Sequence, residues 1–351
     1  MKPLLVTGAS GFVGRHLLEA NVLRTAPQPM LALVRTADAW RRADWTAALG
    51  DVSLVEGSVT EPSSWTQQLP ALGGIAHLAA VVQHSRHDPG DMRRVNVDGT
   101  LAMVRLAAAQ RCRLVVVSTS GTVACFRSAD DAADEKSPFC EATVARWPYY
   151  ASKIEMERRA RALADELGVE LVFVRPPILL GPGDHRFRST RNVQKALERK
   201  LPFVVRGGIA FGDVRDAAAA LLVALERPDV QPVYHLPGHV CGIEEFFAQI
   251  AALSGVPGPR WTLPYGPAHA LASLVEGLGA RLLGQPPHWL PDPVVVEMAA
   301  HHWALRSLYA EADLGYRLRP ARDTLDDTIT WLRAVKKGAG LDSSTFPIGK
   351  S

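Results

Sequence analysis

The sequence of 351 residues predicts an α/β fold in which helices cover both faces of a parallel sheet. Short apolar runs alternate with segments of helical periodicity, the pattern of strands joined by helical crossovers. Several runs are apolar at every position, as expected for strands buried on both faces. The first run, residues 4–7, leads directly into a turn with glycines at Gly8, Gly11 and Gly14 and then into an amphipathic segment.

Strands and helices are expected to alternate through the first half of the chain. We predict strands at residues 30–34, 52–55, 75–78, 114–117 and 171–174, and helices at 95–110 and 149–167. From residue 176, Pro, Gly and Arg become frequent, and helical patterns then dominate. Here we expect strands at 203–205 and 233–236, and helices at 193–200, 214–226, 243–254, 268–283, 293–302 and 321–334.

These elements predict a Rossmann-type, doubly wound parallel sheet with a smaller, mostly helical C-terminal substrate lobe. Residues 1–180 form the sheet domain, to which 207–236 returns. Residues 181–206 and 237–335 form the substrate lobe, and 336–351, rich in Gly and Ser, form a flexible tail. In the helix at 268–283, leucines at helical spacing favour a packed helix, with a wall of an apolar pocket or a membrane-touching surface as the alternative.

Composition excludes several classes of function. With 47% hydrophobic and 21% charged residues, the chain is typical of a soluble globular protein. The net charge of +3 does not indicate nucleic-acid binding. We expect neither a transmembrane segment nor a signal peptide, because the apolar runs are too short. Four cysteines without metal-ligand spacing are expected to be free thiols in a reducing cytoplasm: Cys112, Cys125, Cys140 and Cys241.

The glycine turn after the first strand is typical of a pyrophosphate-binding loop. The first glycine allows a sharp turn, the second allows the backbone to approach a phosphate, and the third allows the helix to pack closely on the sheet. Backbone N–H groups at the helix start would face the phosphates, where the helix dipole favours negative charge. The predicted cofactor-binding residues of this turn are Gly8, Ser10, Gly11, Phe12, Val13 and Gly14.

The end of the second predicted strand indicates which dinucleotide the chain prefers. In dinucleotide folds an acidic residue near this position binds the adenosine ribose hydroxyls. Arg35 stands there instead, and an arginine suits a 2′-phosphate, which it can hold through charge-assisted hydrogen bonds. We therefore predict a preference for NADP(H). Asp38 lies close enough to keep NAD(H) as an alternative.

Tyr149 and Lys153 lie one turn apart on a predicted helix and therefore share one face. Free tyrosine has a pKa of about 10, too high for easy proton exchange at neutral pH. A lysine ammonium beside it favours the phenolate, so Tyr149 can act as general acid or base on a substrate oxygen. Lys153 can also hold the nicotinamide ribose. Taken alone, the pair could equally be two surface residues of a helix.

Small hydroxyl side chains follow the apolar strand at 114–117. Residues 118–122 read Ser-Thr-Ser-Gly-Thr, and the carboxyl end of a parallel strand is where such groups can reach a ligand. They are suited to hydrogen-bond a carbonyl or an alkoxide. An ordinary polar turn accounts for some of them.

Taken together, these motifs resemble the extended short-chain dehydrogenase/reductase family, also called the NAD-dependent epimerase/dehydratase family. The resemblance covers about residues 3–335. The matching segments occur in family order at residues 7–14, 77–80, 96–100, 118–123, 149–153, 175–176, 181–184, 214–216 and 314–316.

The resemblance implies a Ser/Tyr/Lys triad of Ser120, Tyr149 and Lys153, with Ser118 and Thr119 as lesser candidates for the serine. Asn96 is similar to the asparagine that props the catalytic helix. Ser58 stands where the family often has an acid that contacts adenine, which puts that contact in doubt. The other implied cofactor-binding positions are Val59, Leu78, Ala79, Ala80, Ser118, Pro176 and Ile178.

The resemblance also implies hydride transfer between nicotinamide and a carbon that bears oxygen. We favour an NADP(H)-dependent reductase that acts on a ketone or secondary alcohol, because Arg35 suits NADP(H) and because the Val-Arg end of the second strand and the Arg175–Ile178 segment look like the dihydroflavonol-reductase and hydroxysteroid-dehydrogenase branch. The second lobe is rich in Ala, Leu, Trp and Pro, which suits a small, hydrophobic substrate. The alternative is an NAD-dependent nucleotide-sugar epimerase or dehydratase, for which Arg186, Arg188 and Arg191 could hold a diphosphate. A non-catalytic dinucleotide sensor is a third hypothesis, which the Tyr149/Lys153 pair disfavours.

Other partners are expected to be few. A small-molecule substrate and a homodimer fit the family, with no nucleic acid and no integral membrane segment. His84 and His87 lie near Asp88 and Asp91, but no further ligand pattern supports a metal site.

Overall fold

Seven parallel strands form the main sheet of the computed structural model, which describes residues 1–50, 52–83, 90–201, 203–283 and 293–338. The strands of the main sheet and of two smaller sheets are, in chain order, β1 (Leu4–Thr7), β2 (Met30–Val34), β3 (Ser53–Glu56), β4 (Gly74–His77), β5 (Arg113–Val117), β6 (Leu171–Arg175), β7 (Ile178–Leu180), β8 (Phe203–Val205), β9 (Gly208–Asp213), β10 (Val233–His235), β11 (His239–Gly242) and β12 (Trp261–Leu263). The order in the main sheet is β10-β6-β5-β4-β1-β2-β3.

The helices connect these strands and continue beyond the last one. They are α1 (Phe12–Val22), α2 (Ala37–Arg41), α3 (Gly90–Arg93), α4 (Gly99–Gln110), α5 (Glu141–Val144), α6 (Pro148–Leu167), α7 (Arg191–Leu197), α8 (Val214–Glu226), α9 (Ile243–Ser254), α10 (Tyr265–Leu283), α11 (Pro293–Ala299), α12 (Ala310–Leu314) and α13 (Ala321–Lys336). A π-helical turn, Arg94–Asp98, joins α3 to α4, where a continuous α-helix was expected.

The main sheet reverses its winding between β1 and β4. From β1 the chain adds β2 and β3 on one side, and then crosses over to add β4, β5, β6 and β10 on the other. In register, Thr7 lies between Leu33 of β2 and His77 of β4. Ligands of such sheets bind outside the carboxyl ends of the strands at this switch point. The prediction of a doubly wound, Rossmann-type sheet is confirmed.

Helices bury both faces of this sheet, which explains the fully apolar strands. Leu4 and Val6 face one cluster with Leu17 of α1 and Leu221 of α8. Leu5, between them in β1, faces the opposite cluster, which α4 and α6 complete. Successive residues of a strand point to opposite faces, so a strand covered on both sides needs an apolar residue at every position.

The second lobe contains more strand than its sequence predicts. β9 pairs with β7 and β11 in a three-stranded sheet, and β8 pairs with β12. Within 207–236, β9 therefore belongs to this small sheet, while α8 packs against α1 and β10 joins β6 in the main sheet. β7, β11 and β12 have only three or four residues, and two glycines interrupt β9, so their patterns were too weak to read. The domain boundaries drawn from the sequence stay a prediction.

Helix α10 packs through Ala268 and Ala272, which are buried with Val205 and Val296, and not through its first two leucines. Leu271 and Leu274 are 41% and 59% exposed, although their spacing favoured a packed helix. The other leucines of that pattern, together with His84, His87, Asp88 and the tail from 339, lie outside the described side chains. Within the described residues, no helix combines the length and apolar character needed to cross a membrane.

Candidate active site

The turn between β1 and α1 needs glycine at two positions. Gly8 has φ +68°, and a Cβ there would lie 2.7 Å from the backbone nitrogen of Ala79 in the loop after β4. A Cβ on Gly14 would lie 2.3 Å from the carbonyl oxygen of Gly8. Both side chains would therefore collide with backbone atoms. The turn stays tight, and α1 starts directly against the switch point of the sheet.

The start of α1 offers hydrogen-bond donors that suit a phosphate. Gly11 caps the helix without a side-chain bond, and the first intrahelical bond runs from the Arg15 nitrogen to the Gly11 oxygen at 2.9 Å. The amides of Phe12, Val13 and Gly14 precede that bond, so they have no acceptor within the helix. This donor set at a helix N-terminus fits the pyrophosphate of a dinucleotide. The Ser10 side chain is exposed at the same turn.

A buried hydrogen-bond chain fixes the loops on both sides of the switch point. Thr100 donates to the Asn96 carbonyl at 2.6 Å, so its oxygen must accept from His77 Nε2, 3.0 Å away. His77 Nδ1 then accepts from the Thr7 hydroxyl at 2.7 Å. The Thr7 oxygen in turn accepts from the amides of Leu78 and Ala79. Burial lowers the pKa of His77 to about 3, so its neutral form supports this chain.

Asn96 connects the loop after β4 to helix α6. Its side-chain amide donates to the Val81 carbonyl at 3.0 Å and to the Ser152 hydroxyl at 3.1 Å, and its oxygen accepts from the Val81 amide at 2.8 Å. Ser152 passes the contact on, because its hydroxyl donates to the Tyr149 carbonyl at 2.7 Å. Asn96 lies in the π-helical turn, a feature often found at functional sites.

Helix α6 places Lys153 beneath the carboxyl end of β5. It begins with Pro148 at its first position, where a proline costs no hydrogen bond. Lys153 is only 3% exposed, and its ammonium donates to the Val117 carbonyl at 2.9 Å. Burial lowers the pKa of Lys153 to about 8, and the negative charge of Glu157 opposes that shift.

Glu157 anchors a buried polar network that the sequence analysis missed. It accepts a 2.5 Å hydrogen bond from the Ser118 hydroxyl and forms an ion pair with Arg175. The Arg175 guanidinium also contacts His235 Nε2 at 3.1 Å. Glu157 lies one turn after Lys153 on α6, and this spacing was the signal from which the sequence could have identified it. Its partners come from other strands, however, and only the fold identifies them.

Tyr149 lies at the start of α6 and is partly exposed. Burial of its hydroxyl raises the pKa of Tyr149 above its ordinary value, the opposite of the direction expected from Lys153 alone. Tyr149 is therefore a protonated acid in the free protein. The neighbouring Tyr150 is buried and packs on the turn after β5. Its ring lies so close to Gly121 that a Cβ on that residue would be 2.0 Å from it.

The serine candidates after β5 differ in what their hydroxyls do. Ser118 donates to Glu157, and the Thr119 oxygen caps the following turn by accepting from the Gly121 amide at 3.4 Å. Ser120 begins a 3-10 turn, and its amide donates to the Pro176 carbonyl at 2.8 Å. Among the described residues, the Ser120 hydroxyl has no hydrogen-bond partner. It is the hydroxyl of the three that is open to a ligand.

The other predicted cofactor positions line the same edge of the sheet. Ile178 is 42% exposed just beyond Pro176, and Ala80 is exposed after β4. The Val59 side chain is buried in the core, so a ligand can meet only its backbone. The Ser58 hydroxyl bonds Thr60 at 2.8 Å. Across the part of the chain that the structure describes, no three His, Cys, Asp or Glu side chains form a metal-ligand set.

Arg35, Arg186 and Arg188 place positive charge beyond the carboxyl end of β2. Arg35 is exposed just after β2, and Arg186 and Arg188 extend from the loop 181–190. Arg188 Nη1 donates to the Val82 carbonyl at 3.1 Å, so this loop reaches the segment after β4. Partial burial lowers the pKa of Arg186, and the positive charges of Arg35 and Arg188 add to that effect. Like charges gathered in this way favour an anionic ligand.

A sequence model of the NAD dependent epimerase/dehydratase family matches residues 4–236. The "Putative dihydroflavonol 4-reductase" of Synechocystis sp. is 28% identical over 338 residues, 93% of this chain and 94% of that protein. A 4-hydroxy-2-methyl-3-oxo-4-farnesyl-3,4-dihydroquinoline-1-oxide ketoreductase of Stigmatella aurantiaca is 28% identical over 285 residues, 80% of this chain and 81% of that protein.

Solved structures share the fold over nearly the whole chain. The crystal structure of gox2253 has a TM-score of 0.79 at 27% identity and covers 97% of this chain and 99% of its own. MoeE5 in complex with UDP-glucose and NAD has a TM-score of 0.69 at 22% identity, with 95% and 99% covered. At that identity, MoeE5 supports the fold alone.

Proposed function

The chain belongs to the NAD-dependent epimerase/dehydratase family and is an NAD(P)-dependent oxidoreductase of the extended short-chain type, and we propose that it is an NADP(H)-dependent reductase. Its substrate in this proposal is a small, hydrophobic ketone, or the matching secondary alcohol in the reverse direction. The observation that carries the proposal is the buried Lys153 ammonium on the Val117 carbonyl, at the end of the strand that leads to Ser120 and one helical turn after Tyr149. Two relatives named as reductases support net reduction.

The proton chemistry rests on the protonated state of Tyr149. NADPH, when bound, supplies the hydride. Tyr149 donates its phenolic proton to the substrate oxygen, and the Ser120 hydroxyl donates a hydrogen bond to the same oxygen. Lys153, held on the Val117 carbonyl, places its charge under the site and stabilises the phenolate that remains.

The preference for NADP(H) rests on the arginines at the β2 end of the crevice. Arg35 and Arg186 come from different parts of the chain, and their charges oppose each other until an anion lies between them. A 2′-phosphate is such an anion. In this arrangement Arg186 belongs to the adenosine end, which argues against its use on a nucleotide-sugar diphosphate at the substrate end.

The alternative is a nucleotide-sugar epimerase or dehydratase that retains NAD. Its support is the match of residues 4–236 to the NAD dependent epimerase/dehydratase family. In that case Tyr149 would exchange a proton with a sugar hydroxyl instead of protonating a ketone. The two hypotheses therefore differ in the cofactor that is kept and in the net redox change.

The test is the reduction of a panel of apolar cyclic and aromatic ketones, which is monitored through the loss of NADPH absorbance. We expect consumption of NADPH with at least one ketone, weaker activity with NADH, and loss of activity in Tyr149→Phe. A Tyr149→Phe variant with full turnover would contradict the role of Tyr149. Unchanged NADPH across the panel, together with turnover of a UDP-sugar, would establish the alternative.

A further inference from the structure

We propose that Cys125 and Cys140 are a modification site, a thiol pair that peroxide converts into a disulfide beside the Ser120 turn. The sulfurs belong to two segments that the fold holds together. The Cys140 amide donates to the Thr122 carbonyl at 2.9 Å, and its thiol donates to the Gly121 carbonyl at 3.4 Å. Cys125 follows that turn, and both side chains pack in one cluster with Trp147 and Tyr150.

The two thiols differ in exposure and in the direction in which their pKa is shifted. A hydrogen bond from the Cys125 thiol favours the Cys140 thiolate and lowers the pKa of Cys140, and the charge of Arg175 acts in the same direction. The same hydrogen bond, followed by burial, raises the pKa of Cys125. Cys140 is also partly exposed whereas Cys125 is buried, so Cys140 is the attacking thiol and Cys125 the resolving one.

The reaction balances with hydrogen peroxide as the oxidant. The Cys140 thiolate attacks one peroxide oxygen, the O–O bond breaks, and the departing hydroxide takes a proton to become water. The resulting sulfenic acid is then attacked by the Cys125 sulfur. An S–S bond forms, the S–O bond breaks, and the hydroxide leaves with the Cys125 proton as a second water. Two thiols are oxidised and one peroxide is reduced to two waters.

Peroxide can approach this pair from the surface. A cavity of about 270 Å³ is lined by Cys125, Arg127, Arg146, Trp147 and His301 together with Ala142 and Thr143. Arg127 and Arg146 are exposed at its rim, and Cys140 is itself partly exposed. The cavity lining includes Cys125 but not Cys140, so a small, neutral oxidant meets Cys140 at its own partly exposed surface.

Oxidation also reaches the active-site turn. A disulfide removes the thiol proton that Cys140 donates to the Gly121 carbonyl. Gly121 follows Ser120 directly, and the ring of Tyr150 packs against Gly121. The modification therefore acts on the backbone that positions the Ser120 hydroxyl.

The other two cysteines provide controls within the same chain. Cys112 and Cys241 pack in two different clusters, away from the pair. Burial raises the pKa of each to about 11, so both are thiols at neutral pH. They should react with peroxide far more slowly than Cys140.

The experiment treats the reduced protein with hydrogen peroxide, alkylates the remaining thiols and maps the peptides by mass spectrometry. We expect one cross-linked peptide pair that joins Cys125 to Cys140, alkylated Cys112 and Cys241, and reversal by dithiothreitol. In Cys125→Ser, dimedone should trap a sulfenic acid on Cys140. In Cys140→Ser, no intramolecular disulfide should form, and thermal unfolding checks that each variant is folded.

Two results would overturn the proposal. One is that Cys125 and Cys140 stay open to alkylation at peroxide concentrations that oxidise Cys112 or Cys241. The other is a Cys125→Ser protein without sulfenic acid on Cys140. Hydrogen exchange over residues 118–126 tests the link to the turn. We expect oxidation to change exchange in the wild type and not in Cys140→Ser, and equal exchange before and after oxidation would contradict that link.

Discussion

The polar groups under the crevice and the arginines of the loop 181–190 are held in opposite ways. Asn96, Lys153 and Glu157 are at most 3% exposed, and each is hydrogen-bonded from other elements. Arg186 and Arg188 are exposed, although their loop is anchored. The buried groups of the sheet domain are therefore rigidly placed, while the loop presents exposed charges; in the proposed function these charges would select the cofactor.

The loop owes its position to contacts of its backbone and of the side chains of Asp184 and His185. His16 Nε2 contacts the Pro182 carbonyl at 2.8 Å, and His185 contacts Arg15 at 2.6 Å. The Asp184 carboxylate accepts from the amides of Ser189 and Thr190. Arg186 and Arg188 can therefore change without loss of the loop. Changes among the buried groups should cost turnover or stability, and changes in the loop should cost selectivity.

The largest expected effect is on turnover. Tyr149→Phe should lower kcat by about 10²–10⁴, because it removes the general acid while it keeps the ring. The matched control is Tyr150→Phe, which keeps the ring packed on Gly121 and should retain activity within a few-fold. Cofactor titrations should be equal for both variants. The reverse ranking of the two variants would move the acid from Tyr149 to Tyr150.

The buried ion pair should dominate stability. Glu157→Gln leaves Arg175 buried without its countercharge and should lower the free energy of unfolding by about 3–5 kcal/mol. Glu155→Gln on the same helix removes more exposed pairs with Arg93 and Arg159 and should cost no more than about 1 kcal/mol. Urea unfolding measures both. Equal losses would contradict the contrast between buried and exposed charges.

Arg186→Ala should change selectivity and leave the fold intact. We expect about tenfold weaker binding of NADPH, from the loss of a charge-assisted hydrogen bond, and unchanged binding of NADH. Arg35→Ala should act in the same direction. Arg191→Ala, also exposed and at the end of the same loop, is the control and should bind both cofactors normally. Calorimetric titration gives the dissociation constants, and equal losses for NADPH and NADH in Arg186→Ala would contradict a 2′-phosphate contact.

The burial of His77 should make the stability of the fold depend on pH. The pKa of His77 is about 3 in the folded protein and 6.5 ordinarily, so below pH 6.5 the unfolded chain binds the additional proton. The free energy of unfolding should therefore fall as the pH drops from 6.5 towards 3. His77→Gln should flatten that part of the profile. Parallel profiles of the two proteins would show that His77 already titrates normally in the fold.

Sequence patterns predicted the fold best where periodicity is local. The bounds of β2, β8, α8 and α9 agree with the prediction residue for residue, because each is an uninterrupted apolar or amphipathic run. The small sheet was missed, because β9 contains two glycines and its partners are three or four residues long. Its pairing depends on tertiary contacts that no local pattern encodes.

The residues of the candidate site also differ in whether local sequence patterns predict them. Gly8, Gly14, Tyr149 and Lys153 carry their signals in local spacing. The network of Glu157 with Ser118 and Arg175 joins three elements, and the charge effect of Arg35 on Arg186 relates two segments that are distant in sequence. The pKa of Tyr149 depends on burial, which cannot be predicted from the spacing of residues in the sequence.

The most direct test of the central claim is to denature the purified protein, identify and quantify any nucleotide released, and titrate the native protein with NADPH and NADH. A reductase exchanges its cofactor in every cycle, so we predict little bound nucleotide and tighter binding of NADPH than of NADH. Near-stoichiometric NAD⁺ would contradict the account, because it would indicate a cofactor that is kept and recycled by an epimerase or dehydratase.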